Sequence, residues 1–119
     1  MSKLDNVFLI GPMGSGKTAV GRHLAKDLEI EFVDSDAEIE QRAGVDIAFI
    51  FDKEGEPQFR EREKVVIADL TQRKNVVLAT GGGTILEAEN RELLSANGIV
   101  VYLRTSVKQQ LERTQHTKK

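Results

Sequence analysis

The sequence predicts an α/β fold built on a parallel sheet, and two observations carry that prediction. Four short β-prone apolar runs, at residues 6–10, 31–34, 75–80 and 99–103, alternate with stretches of helical periodicity. Strands joined by crossover helices give that pattern. The first run also leads straight into Gly11-Pro12-Met13-Gly14-Ser15-Gly16-Lys17-Thr18 and then into a helical stretch. Strand, G-x-x-x-x-G-K-T and helix together form a phosphate-binding loop in its required context.

Each element has its own signal. Asn6-Val7-Phe8-Leu9-Ile10 is apolar on both faces, as a buried parallel strand is. From Lys17 to Leu28, a helical face carries Val20, Leu24, Ala25 and Leu28. Glu31-Phe32-Val33-Asp34 is a second strand that ends in an acid. Ser35 with Glu38 three residues on has the form of a capping box, predicting a helix to Ala43 that Gly44 stops. Residues 46–51 read as a short apolar helix and Glu54-Gly55-Glu56 as a turn.

Pro57 suits the first turn of a long helix over 57–73, with Phe59, Val66, Ile67 and Leu70 on its stripe. A third strand at 75–80 runs directly into Gly81-Gly82-Gly83. A helix over 87–97 stops at Gly98, a fourth strand follows at 99–103, and another helix starts near Val107. With 119 residues and no repeat or linker, the expectation is a single domain over 1–119.

Composition bounds the function. Nineteen acids against seventeen bases leave a net charge of −2, so no basic surplus calls for nucleic acid or an anionic membrane. The absence of cysteine excludes disulfides and thiolate metal sites. No apolar run reaches membrane-spanning length, and the start lacks a signal peptide's apolar stretch, so a cytoplasmic protein is expected.

The loop's backbone N–H groups, with the amino end of the following helix, suit an anion. Lys17 brings a charge to the β- and γ-phosphates and Thr18 a hydroxyl to Mg²⁺. Such a loop needs a further anion near the metal, usually at the end of a neighbouring strand; Asp34 ends the second strand, and Asp36 follows two residues later at a helix start. Acids there also cap helices, and both readings fit. Gly81, Gly82 and Gly83 are either a tight turn or a backbone that approaches a ligand closely.

Arg60 is either part of a solvated helix face or a planar fork for a carboxylate, oriented by Glu63 three residues on. Phe49, Phe51 and Phe59 read as core residues, and His23 and His116 as surface residues.

Together these residues resemble shikimate kinase. G-P-M-G-S-G-K-T at 11–18, F-V-D-S-D at 32–36, F-R-E-R-E at 59–63 and A-T-G-G-G at 79–83 fall in that family's order and approximate spacing. The loop alone is widely shared; its combination with the other three is far more specific. The resemblance implies a parallel sheet of order 2-3-1-4-5 and ATP-dependent phosphorylation of a shikimate hydroxyl in aromatic amino-acid biosynthesis.

By the same resemblance, residues 11–18 hold the nucleotide, Thr18 and Asp34 serve Mg²⁺, and Lys17 and Asp36 are catalytic. Asp36 binds substrate hydroxyls and is the candidate base. Arg60 clamps the carboxylate, the three glycines close over the substrate, and Phe51 and Phe59 wall its pocket. Arg113 lies against adenine. A monomer acting on a small molecule is expected.

Family members continue past the position of Lys119 into an arginine-bearing lid, a second substrate-binding arginine, a fifth strand and a terminal helix. The chain is therefore expected to be a shortened one that holds nucleotide but phosphorylates shikimate poorly or not at all. The alternatives are a nucleotide-binding fragment without turnover and a related P-loop kinase for another small molecule.

Overall fold

Four parallel strands in the order β2-β3-β1-β4 form the centre of the computed structural model, which describes residues 6–104. The elements run β1 (Val7–Ile10), α1 (Lys17–Leu28), β2 (Glu31–Asp34), α2 (Ser35–Ala43), α3 (Ile47–Glu54), α4 (Glu56–Leu70), β3 (Val76–Ala79), a 3₁₀ turn (Thr84–Leu86), α5 (Ala88–Asn97) and β4 (Ile99–Tyr102). The expected helix after Val107, with Arg113 and His116, lies outside the described residues.

Strand register follows from burial. Phe8 pairs with Leu78 and Val100, and Val33 pairs with Leu78. β3 is buried throughout, as its four apolar residues require at the middle of a sheet covered on both faces. Phe8, Val33, Val76 and Leu78 pack with Ile39, Ile50, Val66, Ile67, Leu70 and Leu94 from α2–α5. Leu9 and Val77 face the other way and pack with Ala25 of α1. The alternation of side chains along each strand thus divides the core into two layers. β4 lies at the sheet edge and its four side chains are exposed.

Several local readings shift. On α1 the buried residues are Gly21 and Ala25, while Val20 is exposed. A β-carbon on Gly21 would lie 2.5 Å from the Phe32 ring, so the helix approaches the sheet through its smallest residues. The cap of α2 is Asp34, whose Oδ1 accepts from the N–H groups of Asp36 and Ala37. Ser35 is instead the first helical residue and is fully buried.

α3 extends to Glu54, so the turn before α4 reduces to Gly55 with φ 86°. α4 ends at Leu70, three residues early, and Asn75 adopts φ 58° just before β3. The predicted start of α5 at Glu87 is preceded by the 3₁₀ turn that periodicity did not show. Among the described residues, no helix is long and apolar enough to cross a membrane.

Candidate active site

Parallel strands bring their carboxyl ends to one edge, and three sequence-predicted segments meet there. The loop between β1 and α1 turns on Gly14 and Gly16, whose φ values of 83° and 87° suit only glycine without strain. Its backbone then enters α1 at Lys17, placing the amino end of a 12-residue helix behind the loop. A cleft of about 250 Å³ opens over it, lined by Met13, Gly14, Gly16, Lys17, Thr18, Asp34, Asp36, Gly81 and Gly82. Gly11, Pro12 and Ser15 do not line it. Gly11 packs beneath Leu103, and the Pro12 carbonyl accepts from the Ser15 N–H within the loop.

Lys17 Nζ donates to the carbonyls of Gly11 at 2.5 Å and Pro12 at 3.0 Å, so the side chain folds back over its own loop. Burial lowers its pKa, against the opposing pull of Asp36 and Asp34. Thr18 Oγ1 donates to Asp34 Oδ2 at 3.1 Å, so Asp34 both caps α2 and holds the hydroxyl. The two readings of that acid are compatible because its two oxygens face different partners.

Asp36 stands one residue inside α2, half-buried and among like charges. Desolvation, then Asp34, Glu63 and Glu40, push its pKa up to about 6, although Lys17 opposes them. A carboxyl poised there takes up a proton readily near neutral pH. Gly81 packs on it directly, since an added β-carbon would lie 2.6 Å from Asp36 Oδ1. The Gly81 N–H donates to Ser35 Oγ at 3.2 Å, which fixes the glycine loop beside Asp36.

Gly83 packs in the same way on Arg60, with an added β-carbon 2.6 Å from Nη2. Arg60 Nη1 donates to Glu63 Oε1 at 2.9 Å, and Glu63 is only 1% exposed. Arg60 is thus anchored to a buried carboxylate, and is no freely solvated surface residue. Its guanidinium carbon lies 5.2 Å from the Phe59 ring centroid, and the Phe51 and Phe59 rings are 4.8 Å apart. Phe59 is core, as its place on the stripe predicted. Phe49 and Phe51 are exposed, because the eight-residue α3 buries only Ile50. His23 is exposed beside Asp27.

Sequence reasoning missed Ser35 as the support of Gly81 and gave no role to Thr80 and Thr84. Thr80 Oγ1 donates to Leu9 O at 2.9 Å, and Thr84 Oγ1 to Glu63 Oε2 at 2.7 Å. No periodicity marks such residues; only the strand-end position of Thr80 offered a hint.

A parallel sheet with a glycine-rich loop, lysine and threonine at its carboxyl edge, and an acid at the end of β2, one strand removed from β1, defines a P-loop phosphotransferase fold. Comparison with known proteins narrows that class. The family model for shikimate kinase matches residues 13–119, and the chain belongs to the shikimate kinase family.

Shikimate kinases of Vibrio cholerae and Pasteurella multocida are 57% and 60% identical to it over 119 residues, the whole of this chain and 68% of each of them. A solved shikimate kinase from Acinetobacter baumannii, in complex with shikimate, superposes with a TM-score of 0.92 at 60% identity. The match covers 97% of this chain and 64% of that one, so the chain spans just under two thirds of that structure's length. The Bacteroides thetaiotaomicron enzyme gives 0.92 at 33% identity, over 97% of this chain and 65% of that one.

Proposed function

We propose that the cleft transfers the γ-phosphoryl group of ATP to a hydroxyl of shikimate, giving shikimate 3-phosphate and ADP in aromatic amino-acid biosynthesis. The observation that carries this reading is the convergence on one sheet edge of a phosphate loop, a carboxyl poised near neutrality and an anchored arginine. The bound shikimate named for the Acinetobacter baumannii structure supports the choice of acceptor.

In this reading the loop at residues 11–18 holds the polyphosphate: the cleft-lining Met13, Gly14, Gly16, Lys17 and Thr18 through backbone N–H groups, Lys17 also through its ammonium, with Gly11, Pro12 and Ser15 shaping the loop behind them. Asp36 accepts the proton of the attacking hydroxyl, whose oxygen bonds to the γ-phosphorus as the bond to the β–γ bridging oxygen breaks. Arg60 pairs with the substrate carboxylate, while Gly81, Gly82 and Gly83 lie against the ring and Phe51 and Phe59 border it. Arg113 keeps the role against adenine that the resemblance implies.

Thr18 and Asp34 present adjacent oxygens, a donor set that fits Mg²⁺, which keeps several waters and binds substrate phosphates. When bound, the ion neutralises charge on the phosphates. We take the protein to be one domain, a cytoplasmic monomer with no nucleic-acid or membrane partner, in keeping with its nearly balanced charge.

Calorimetric titration of ADP and shikimate, with a coupled assay of ADP release, tests the reading. Binding of both, and ADP release that depends on shikimate, is expected. Nucleotide binding with neither shikimate binding nor turnover overturns it in favour of a silent nucleotide-binding fragment.

A further inference from the structure

Thr84 opens the 3₁₀ turn that follows the three glycines and is fully buried. All three of its polar groups are engaged. Its N–H donates to Gly81 O at 3.2 Å, its carbonyl accepts from Asn90 Nδ2 at 3.0 Å, and its hydroxyl donates to Glu63 Oε2 at 2.7 Å. A line of hydrogen bonds therefore runs from α5 through the turn to Arg60 on α4.

Two arginines of α4, each paired with a glutamate, show what the hydroxyl changes. Arg62 meets Glu54 as a two-bond fork, Nε to Oε1 at 2.8 Å and Nη2 to Oε2 at 2.9 Å. That is the preferred geometry when both carboxylate oxygens are available. Arg60 meets Glu63 through a single bond from Nη1, and its Nη2 lies 3.4 Å from the exposed carboxylate of Glu56. The other oxygen of Glu63 is taken by Thr84, and at 1% exposure water does not compete for it.

We infer that Thr84 is a positioning residue: its hydroxyl occupies the second oxygen of Glu63, which holds Arg60 to Glu63 by one bond and leaves Nη2, in long contact only with the exposed Glu56, to turn to a substrate carboxylate. This rests on the shikimate reading given above. Without the hydroxyl, the buried oxygen lacks a donor and draws the guanidinium into a fork like that of Arg62 and Glu54. Arg60 then shifts against Gly83, on which its Nη2 rests.

The test uses the full chain with Thr84→Val, which keeps the shape, and Thr84→Ser, which keeps the hydroxyl. Dissociation constants for shikimate and ADP are measured by calorimetry, and the arginine side-chain ¹⁵N–¹H signals are recorded without ligand. Thr84→Val is expected to weaken shikimate roughly tenfold, leave ADP unchanged and move the Arg60 Nε signal; Thr84→Ser should match the parent.

Unchanged shikimate affinity in Thr84→Val, or equal losses for shikimate and ADP, overturns the inference. Thr84→Ala carries the same expectations if Thr84→Val does not fold. A parent chain that binds no shikimate defeats the substrate reading instead. The Arg60 signal still decides the positioning role: moved by Thr84→Val and restored by Thr84→Ser supports it, unmoved overturns it.

Discussion

Gly81 stands so close to Asp36 that a β-carbon on the glycine would lie 2.6 Å from Oδ1. Real β-carbons do not approach that closely, so any side chain at 81 displaces the carboxyl. Gly81→Ala is expected to cost about 1–3 kcal/mol of stability through overpacking. It should also lower shikimate-dependent ADP release by roughly tenfold or more. Thermal unfolding and a coupled assay on the same sample measure both.

Burial lowers the pKa of Lys17, so desolvation of its charge offsets the two bonds that it donates to carbonyls of its own loop. Lys17→Met is expected to leave the unfolding temperature near that of the parent. Affinity for ADP and ATP should fall by about two orders of magnitude, the scale of losing a charged hydrogen bond to a phosphate. Calorimetry of the folded variant decides it.

The pKa of Asp36 is raised from 3.8 to about 6, chiefly by desolvation and then by Asp34, Glu63 and Glu40. The sign for stability follows. Between these values the unfolded chain has lost the proton that the folded chain still holds, so Asp36 makes stability fall as pH rises across that window. Asp36→Asn should therefore stabilise the protein above pH 6 by an amount of order 1 kcal/mol, the linkage value discounted for partial exposure. Below pH 4 the gain should vanish. Catalysis has the opposite slope, because the base must be ionised: kcat/KM is expected to rise with pH through about 6 and to collapse in the variant.

Arg60 is held to Glu63 by one bond and packs over Phe59. Arg60→Ala should weaken shikimate by roughly ten- to a hundredfold, the range for a charge-assisted bond. ADP binding should be unchanged. Arg60→Lys restores charge but not the planar fork, and recovers only part of the loss. A substrate analogue without the carboxylate should bind the parent and both variants alike.

Asn6 controls stability without touching the cleft. Its Nδ2 donates to Arg73 O at 2.7 Å and its Oδ1 accepts from Val76 N at 3.1 Å, joining the start of β1 to that of β3. Asn6→Ala takes this partner from the buried Val76 N–H and the partly buried Arg73 carbonyl and is expected to cost about 1–3 kcal/mol. Chemical denaturation measures the loss, and unchanged ADP affinity shows that it stays local.

Residues that act through their own backbone or position in the chain were legible beforehand. The phosphate loop, the acids after β2, the glycines after β3 and the strand–helix alternation all appear in the sequence as local spacing. Residues that act across the chain were not. Ser35 looked like a helix cap, yet Asp34 caps the helix and the Ser35 hydroxyl supports Gly81, forty-six positions away. Val20 looked like core, yet α1 packs through Gly21 because the Phe32 ring occupies the space beside it.

The amino-acid order by itself determined a parallel α/β sheet and a phosphate-binding loop at its edge, since turn chemistry and hydrophobic period act between near neighbours. Only the tertiary structure decided which charges become poised. The raised pKa of Asp36 comes from burial and then from Asp34, Glu63 and Glu40, and Arg60 is bonded to a Glu63 whose other oxygen accepts from Thr84, groups brought together by α2, α4 and the turn after β3. Desolvation and hydrogen bonding depend on what surrounds a group in space, and the packing of distant segments sets that.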